Sequence, residues 1–256
     1  MKAIKYLSCI LLFIIQSISA QNFWHQTNGP YGVPTVNDFL QYNDSTIFLG
    51  TGEGIIKSND NGESWIRIEG PYLNSQIKCI AQDKLGVLYA GSLGIYPSGL
   101  KLLFQSTDEG YSWNIIDDGY DAEIRYIFIP YKDTILLGSW DMGVIRSFDG
   151  GVTWSRVNNG NIYNGIYEII ELDDGSVLAG SAGGGVFKST NWGDLWIPSN
   201  TGLPTNSQGY IFAKSFCKTT PGCLLVGTAE GIYYSTNNGE TWSFKSAGLT
   251  EKGINK

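Results

Sequence analysis

The chain has 256 residues, of which 33 are Gly, 8 Trp, 15 Tyr and 11 Phe, while only 16 % are charged and the net charge is −7. Few charges and many glycines exclude a helical bundle or coiled coil, which is built on Ala, Glu, Lys and Leu, and the aromatic content excludes disorder. An acidic chain is a poor match for nucleic acid or an anionic lipid surface, so neither is an expected partner.

In chain order, residues 1–20 come first. Lys2 and Lys5, an apolar stretch over 7–15 broken only by Ser8, and Ser17-Ile18-Ser19-Ala20 before Gln21 read as a secretory signal peptide. That run is too short to cross a bilayer and no later stretch approaches the ~18 apolar residues needed, so no membrane span is expected and the mature protein is expected in a secreted, periplasmic or cell-surface location. Cys9 precedes most of the apolar stretch, which argues against a lipid-modified cysteine. Removal of 1–20 takes away two lysines and no acid, leaving the chain more acidic still.

Phe23–Thr27, with Trp24, resembles the last strand of a repeat whose earlier strands do not precede it. Trp24 stands 12 residues before Val36, as Trp65 stands 12 before Ile77. From Val36 onward a unit recurs five times: Ser58-NDNGES-Trp65, Ser106-TDEGYS-Trp113, Ser147-FDGGVT-Trp154, Ser189-TNWGDL-Trp196 and Ser235-TNNGET-Trp242, with Trp spacings of 48, 41, 42 and 46. Upstream of each lies an apolar run closing on Gly-Thr or Gly-Ser: 47–51, 88–92, 135–139, 178–182 and 224–228. A period in this range marks a supersecondary unit.

In the first unit the local signals predict strands over 36–42, 46–51, 54–58 and 64–69, with turns at Asn43-Asp44-Ser45 and in the polar Asn-Asp-Asn-Gly stretch. First-hairpin turns in the other units fall at 82–84, 131–133, 173–175 and 218–222. The fold class is therefore all-β, a β-propeller of four-stranded antiparallel blades with five complete repeats, at about 36–69, 76–118, 123–158, 165–200 and 208–246, plus an orphan fourth strand at 22–27. Beyond Trp242 the next first strand would begin at Ile254, where the sequence ends, so the register predicts an incomplete copy of a ring with six or more blades. The rival is a five-blade ring with a spare N-terminal strand.

The phrase S-x-D-x-G-x-T-W resembles the Asp-box, or BNR repeat, of sialidase-like, sortilin-type and photosystem-assembly-factor-type propellers. The resemblance extends over residues 36–246 and implies that the box forms the turn between the third and fourth strands of a blade. Its residues then have structural roles. Ser58, Ser106, Ser147, Ser189 and Ser235 bond across the turn; Asp60, Asp108 and Asp149, with Asn191 and Asn237 in the last two copies, accept turn N–H groups. Gly62, Gly110, Gly151, Gly193 and Gly239 supply positive φ, and Trp65, Trp113, Trp154, Trp196 and Trp242 pack between sheets.

The loops between second and third strands, and those between blades, share the face opposite the boxes, where a fixed scaffold carries variable binding residues. On it stand Glu53, the 92–101 segment with Tyr96, Trp140-Asp141, 183–185 and Glu230, with Tyr72, Tyr120, Asp121, Tyr163 and Tyr210 between blades. Trp140 beside Asp141 has the chemistry to stack on a sugar while bonding its hydroxyls, and the competing role is capping a blade interface. Glu53 and Glu230 occupy equivalent repeat positions and have the simpler reading of exposed loop acids. Trp192, inside a box, reads as surface packing. Cys217 and Cys223 flank a hairpin turn that permits a cross-hairpin disulfide, and Cys79 reads as a small buried hydrophobe.

Sialidase-like hydrolysis needs converging arginines. Here Arg67 and Arg156 fall on fourth strands, Arg146 on a third and Arg125 on a first, so they do not converge. A glycosidase of the two-carboxylate kind needs a pair roughly 5–9.5 Å apart, for which Glu53, Asp141 and Glu230 are the available residues. His25 is the only His and no nucleotide or Cys-x-x-Cys pattern occurs, so neither a metal nor another cofactor is expected. The sequence reads as an exported binding or scaffolding module for glycan or protein ligands with no catalytic constellation; the alternative is a glycoside hydrolase resembling sialidases or xyloglucanases.

Overall fold

The computed structural model describes residues 35–70, 73–93, 103–117, 119–131, 133–160, 162, 165–219 and 222–245. The signal segment, the 22–27 strand, Tyr72, Tyr96 and Tyr163 lie outside the described residues.

Five four-stranded antiparallel units follow one another, each in spatial order first to fourth. They are β1 (Val36–Gln41), β2 (Ile47–Thr51), β3 (Gly54–Ser58) and β4 (Ile66–Arg67); β5 (Ile77–Gln82), β6 (Leu88–Ser92), β7 (Leu103–Ser106) and β8 (Asn114–Ile116); and β9 (Ile124–Tyr131), β10 (Thr134–Ser139), β11 (Gly143–Ser147) and β12 (Ser155–Arg156). The last two are β13 (Ile166–Glu171), β14 (Val177–Gly183), β15 (Gly185–Ser189) and β16 (Ile197–Pro198), then β17 (Ile211–Thr219), β18 (Cys223–Thr228), β19 (Gly231–Ser235) and β20 (Ser243–Phe244). Pairing of Ala182 with Phe212 and Gly183 with Ile211 joins the last two units into one continuous sheet. The fourth strands are shorter than the sequence predicts, because pairing beyond the box extends over only two or three residues.

Second and third strands are buried almost throughout, which is why they read as unbroken apolar runs rather than alternating ones. Their burial comes from stacking blade on blade. Phe48 and Ile55 of the first unit pack on Ile77, Leu88 and Phe104 of the second; Tyr89 and Leu103 pack on Ile124, Leu137 and Ile145 of the third. Leu136 and Val144 meet Ile166, Val177 and Phe187, and Leu178 and Val186 meet Ala213, Val226 and Tyr233. Each interface thus holds its own apolar cluster, and the box Trp of the later blade completes it: Trp113, Trp154, Trp196 and Trp242 in turn.

The recurring Gly-Thr/Ser phrase has a steric and a polar cause. At Gly50, Gly91 and Gly138 a Cβ would stand 2.8, 2.7 and 2.8 Å from Ile77, Ile124 and Ile166, so a side chain there would push away the first strand of the next blade. The hydroxyl that follows closes the next turn: Thr51 Oγ1 donates to Gly54 O at 2.8 Å, Ser181 Oγ to Gly185 O at 2.9 Å and Thr228 Oγ1 to Gly231 O at 2.9 Å.

Candidate functional site

The boxes join third to fourth strands as the resemblance implies. Ser58 Oγ donates to Asp60 Oδ1 at 2.7 Å and accepts Gly62 N–H at 2.8 Å; Asp60 then takes Ser64 N–H at 2.8 Å and, at its second oxygen, the Ser64 hydroxyl at 2.6 Å. Asp108 with Ser112 and Asp149 with Thr153 repeat this geometry. Those hydroxyls first, and the backbone N–H groups second, hold all three carboxyls down at about 2. Asn191 keeps the backbone bond, to Leu195, but faces no hydroxyl at that position, whereas Asn237 reverses the polarity by donating its amide to Thr241 Oγ1 at 2.9 Å. The residue before each box Gly is also left-handed, including Asn61, Glu109 and Trp192.

Four of the five box Trp residues donate their indole N–H in one of two ways, while Trp113 Nε1 is buried without a hydrogen-bond partner among the described residues. Trp65 and Trp154 donate their indole N–H to Gly62 O and Gly151 O within their own turns. Trp196 and Trp242 instead reach back to Val157 O and Ser199 O of the preceding blade. The third-position Asp residues and four of the five Trp N–H groups are thereby engaged in folding, and the first and third box turns are tied to the first hairpin of their own blades by Asn61 N–H to Ser45 O and Gly150 N–H to Asp133 O.

The opposite end of each blade carries the second-to-third turns and the start of the first strand, bridged by Gly52 N–H to Thr35 O, Leu93 N–H to Gln76 O, Trp140 N–H to Glu123 O and Ala182 N–H to Gly165 O. This is the face on which the sequence places Glu53, Trp140, Asp141 and Glu230. First strands β1, β5, β9, β13 and β17 pack successively side by side, so their starts lie together along one edge of the row of blades, which forms the mouth of an open central groove.

Trp140 is 38 % exposed, but its ring is committed to a blade interface. The Arg125 guanidinium lies 4.2 Å from its centroid, Tyr167 meets it edge-on at 5.7 Å, and a Cβ on Gly165 would stand 2.5 Å from its Cε3. Asp141 Oδ1 accepts Glu123 N–H at 3.1 Å and the Ser139 hydroxyl at 2.7 Å, which makes it a turn cap as well as a surface acid. Glu53 forms a 2.9 Å ion pair with Arg67 of its own blade, beside a cleft of about 370 Å³ also lined by Leu73 and Asn74. Glu230 is exposed and its N–H is held by Thr228 Oγ1 at 3.1 Å. Each of these three acids stands on a separate blade, and no hydrogen bond or ion pair joins any two of them among the described residues. Cys217 and Cys223 are both free thiols: the register sets Cys217 opposite Leu225 and Cys223 opposite Thr219, a diagonal offset that leaves the disulfide unformed.

The four arginines diverge as their strands require. Arg67 and Arg156 cap the second-to-third turns by donating to Glu53 O and Met142 O, and Arg146 points to the box end, donating to Trp192 O at 2.7 Å. Only Arg125 reaches the groove mouth, with its Nε donating to Glu123 Oε1 at 2.6 Å. Glu123 is 8 % exposed and is the carboxylate that sequence reasoning missed.

A feature of register organises this mouth. In every blade the ladder between first and second strand slips by one residue near its start: Val36 and Asp38, Ile77 and Cys79, Ile124 and Tyr126, Ile166 and Glu168, and Ala213 and Ser215 face successive partners. The skipped residues are Asn37, Lys78, Arg125, Tyr167 and Lys214, all half-buried. Such a bulge re-aims one side chain out of the ladder. Here it does so once per blade, at the same end of each first strand.

Among the described residues there is no group of three His, Cys, Asp or Glu side chains arranged to hold a metal, and no helix long and apolar enough to cross a membrane.

Comparison with known proteins agrees with this architecture. Residues 145–156 and 233–244 match the BNR/Asp-box repeat family. The oligoxyloglucan-reducing end-specific xyloglucanase of Emericella nidulans is 26 % identical over 171 residues, covering 63 % of this chain and 19 % of that protein. Among solved structures, an ancestral GH74 enzyme superposes with a TM-score of 0.69 at 20 % identity, covering 85 % of this chain and 32 % of that one. YCF48 bound to D1 peptide gives a TM-score of 0.59 at 17 % identity, covering 83 % and 67 %. The chain spans about a fifth of the length of the curated relatives it matches. The chain thus carries Asp-box repeats at these two stretches and has a β-propeller fold like that of these structures.

Proposed function

We propose that the protein is an exported binding module that takes a glycan or protein ligand at the groove mouth opposite the boxes. The observation that carries this reading is the repeated bulge, which brings Asn37, Lys78, Arg125, Tyr167 and Lys214 to one end of the first strands while the acids available for hydrolysis stand on separate blades. A rigid β scaffold that turns one side chain per repeat toward a common opening is suited to recognition. Export is inferred from the basic, apolar and small-residue pattern of residues 1–20.

A second reading, glycoside hydrolysis, is supported by the likeness to a xyloglucanase. Two carboxyls about 5–9.5 Å apart are required for it, and the candidates on one blade are Glu123 and Asp141, whose Oδ1 accepts the Glu123 backbone N–H. The two readings separate in one experiment. The mature chain and its Glu53→Gln, Glu123→Gln, Asp141→Asn and Glu230→Gln variants are tested on a glycan array and against chromogenic glycosides and xyloglucan. Binding without turnover is the expected result. Turnover abolished by one of these substitutions would overturn the binding reading in favour of hydrolysis.

A further inference from the structure

We infer that the box face carries a second recognition surface, an apolar patch over the third and fourth boxes that docks a protein segment with an apolar anchor flanked by Lys or Arg. The five boxes supply an internal standard for it. After the box Ser stand Asn59, Thr107, Thr190 and Thr236, but Phe148 in the third box. At the left-handed position stand Asn61, Glu109, Gly150 and Asn238, but Trp192 in the fourth. Where Ser64, Ser112, Thr153 and Thr241 bring a hydroxyl to the box Asp or Asn, the fourth box has Leu195. Polar residues make the same turn in the other copies, so the turn itself does not call for these apolar ones. Trp192 also carries a cost, since at φ +55° a bulky side chain is strained where Asn or Gly is not.

The exchanged residues meet on one surface. Phe148 is 53 % and Leu195 47 % exposed, and Tyr131, at the end of β9, is 50 % exposed. Trp192 is half-buried against the cluster between the third and fourth blades and meets Tyr131 edge-on, with centroids 5.6 Å apart. Arg146 joins the remaining members. It donates to Trp192 O at 2.7 Å, pairs with Asp194 next to Leu195 at 2.7 Å, and lies 4.2 Å from the Phe148 ring centroid. Exposed apolar side chains scattered singly need no explanation, whereas neighbouring ones drawn from two blades mark an interaction surface. Trp, Tyr and Arg together have the composition of interface hot spots.

The chemistry around the patch selects its occupant. Phe148 and Leu195 have no polar side-chain atom for a sugar hydroxyl, which favours a protein over a glycan. Asp133, Asp149, Glu171 and Asp194 adjoin the patch, against Lys84, Arg146 and, by sequence, Lys132. The neighbouring boxes add exposed Asp60, Glu63, Asp108, Glu109 and Glu240. The Asp149 carboxyl, held down at about 2 by the Thr153 hydroxyl, keeps its charge at any ordinary pH. A second copy of a chain of net charge −7 would bring like charge to this rim, and a basic segment brings the opposite.

The test titrates the mature chain by calorimetry with an alternating Lys-Phe hexapeptide. Comparators are a Glu-Phe hexapeptide of opposite charge, a Lys-Ser hexapeptide without the anchor, and cellotetraose as a neutral glycan. The Lys-Phe peptide is expected to bind about tenfold or more tightly than any of the three. Phe148→Thr and Leu195→Thr, which install residues that other boxes carry, are each expected to weaken it by about threefold or more while melting at or above the parent. Trp192→Asn is expected to weaken it by about tenfold. If Trp192→Asn melts far lower than the parent, the two Thr variants decide. Equal binding of a comparator peptide, unchanged affinity in both Thr variants, tighter binding of cellotetraose that either Thr variant weakens, or no binding by the Lys-Phe peptide would overturn the inference. None of these results touches the reading of the groove mouth, which stands on the opposite face and on its own glycan-array test.

Discussion

The Asp-box shows how much of a turn's chemistry one pair of positions decides. In the first three boxes a carboxylate meets a hydroxyl, Ser64, Ser112 or Thr153, and the carboxyl falls to about 2 from an ordinary 3.8. The unfolded chain therefore takes up protons first as pH falls, so the stability these groups contribute is complete above their unfolded value and is lost as pH falls through about 2. An Asp60→Asn, Asp108→Asn, Asp149→Asn triple variant should keep the fold, as Asn237 does by donating to Thr241, and should flatten the fall in urea midpoint across that acid range. An unchanged acid slope would assign the fall to other carboxyls. Backbone demands are stricter. Gly160 sits at φ +97°, and a Cβ there would lie 1.8 Å from Trp196 O, so Gly160→Ala should destabilise by about 3 kcal/mol or more in denaturant unfolding. The roles of Ser, Asp and Gly in the box are legible from residue type because each has one way to satisfy a tight turn. The destination of each Trp N–H is not legible, because it depends on whether the preceding blade offers a carbonyl.

At the scale of strands, the residue before the first, third and fourth box Ser acts as a latch between blades. Lys57 Nζ donates to Glu109 O at 2.9 Å, Arg146 Nη1 to Trp192 O at 2.7 Å and Lys188 Nζ to Asn238 O at 3.1 Å, each acceptor being the left-handed residue of the next box. Lys57 is 2 % exposed and also lies 4.1 Å from the Tyr111 ring centroid. Lys57→Ala should therefore lower stability by about 2–3 kcal/mol, since a buried side chain and its bond across the blades are both removed, whereas Lys245→Ala, exposed just after β20, should stay within about 0.5 kcal/mol. Equal effects would mean that the latch carries no stability. Gly91→Ala should destabilise by about 1–3 kcal/mol, because its Cβ would stand 2.7 Å from Ile124. Strands such as β2 and β3 can be read in the sequence because burial on both faces writes an apolar run. The bulges cannot. A bulge is a property of register between two strands, and Asn37, Lys78, Arg125, Tyr167 and Lys214 share no residue type that would announce it. The latch is hidden for a related reason: its partners lie 46 to 52 residues apart and meet only when blades stack.

For the molecule as a whole, the glycine and aromatic excess is scaffold. Four interfaces between successive blades each hold an apolar cluster closed by a box Trp, and the glycines at the ends of second strands let the blades approach. The proposed binding surface lies where the first strands begin. That Glu53, Trp140, Asp141 and Glu230 share one face was legible in the sequence, since loop position follows from strand order. Their surroundings were not: Trp140 is backed by Arg125 and Gly165, Asp141 caps a turn, and the bulge residue Lys78 carries no motif. The direct test of the mouth as the binding surface is hydrogen exchange of the mature chain with and without a saturating ligand identified on the glycan array. Slowed exchange is expected at residues 37–38, 78–79, 123–126, 140–142 and 167–168, with the box turns at 59–64, 107–112 and 148–153 unchanged. Protection confined to those box turns, or spread evenly over the blades, would contradict a binding site at the groove mouth.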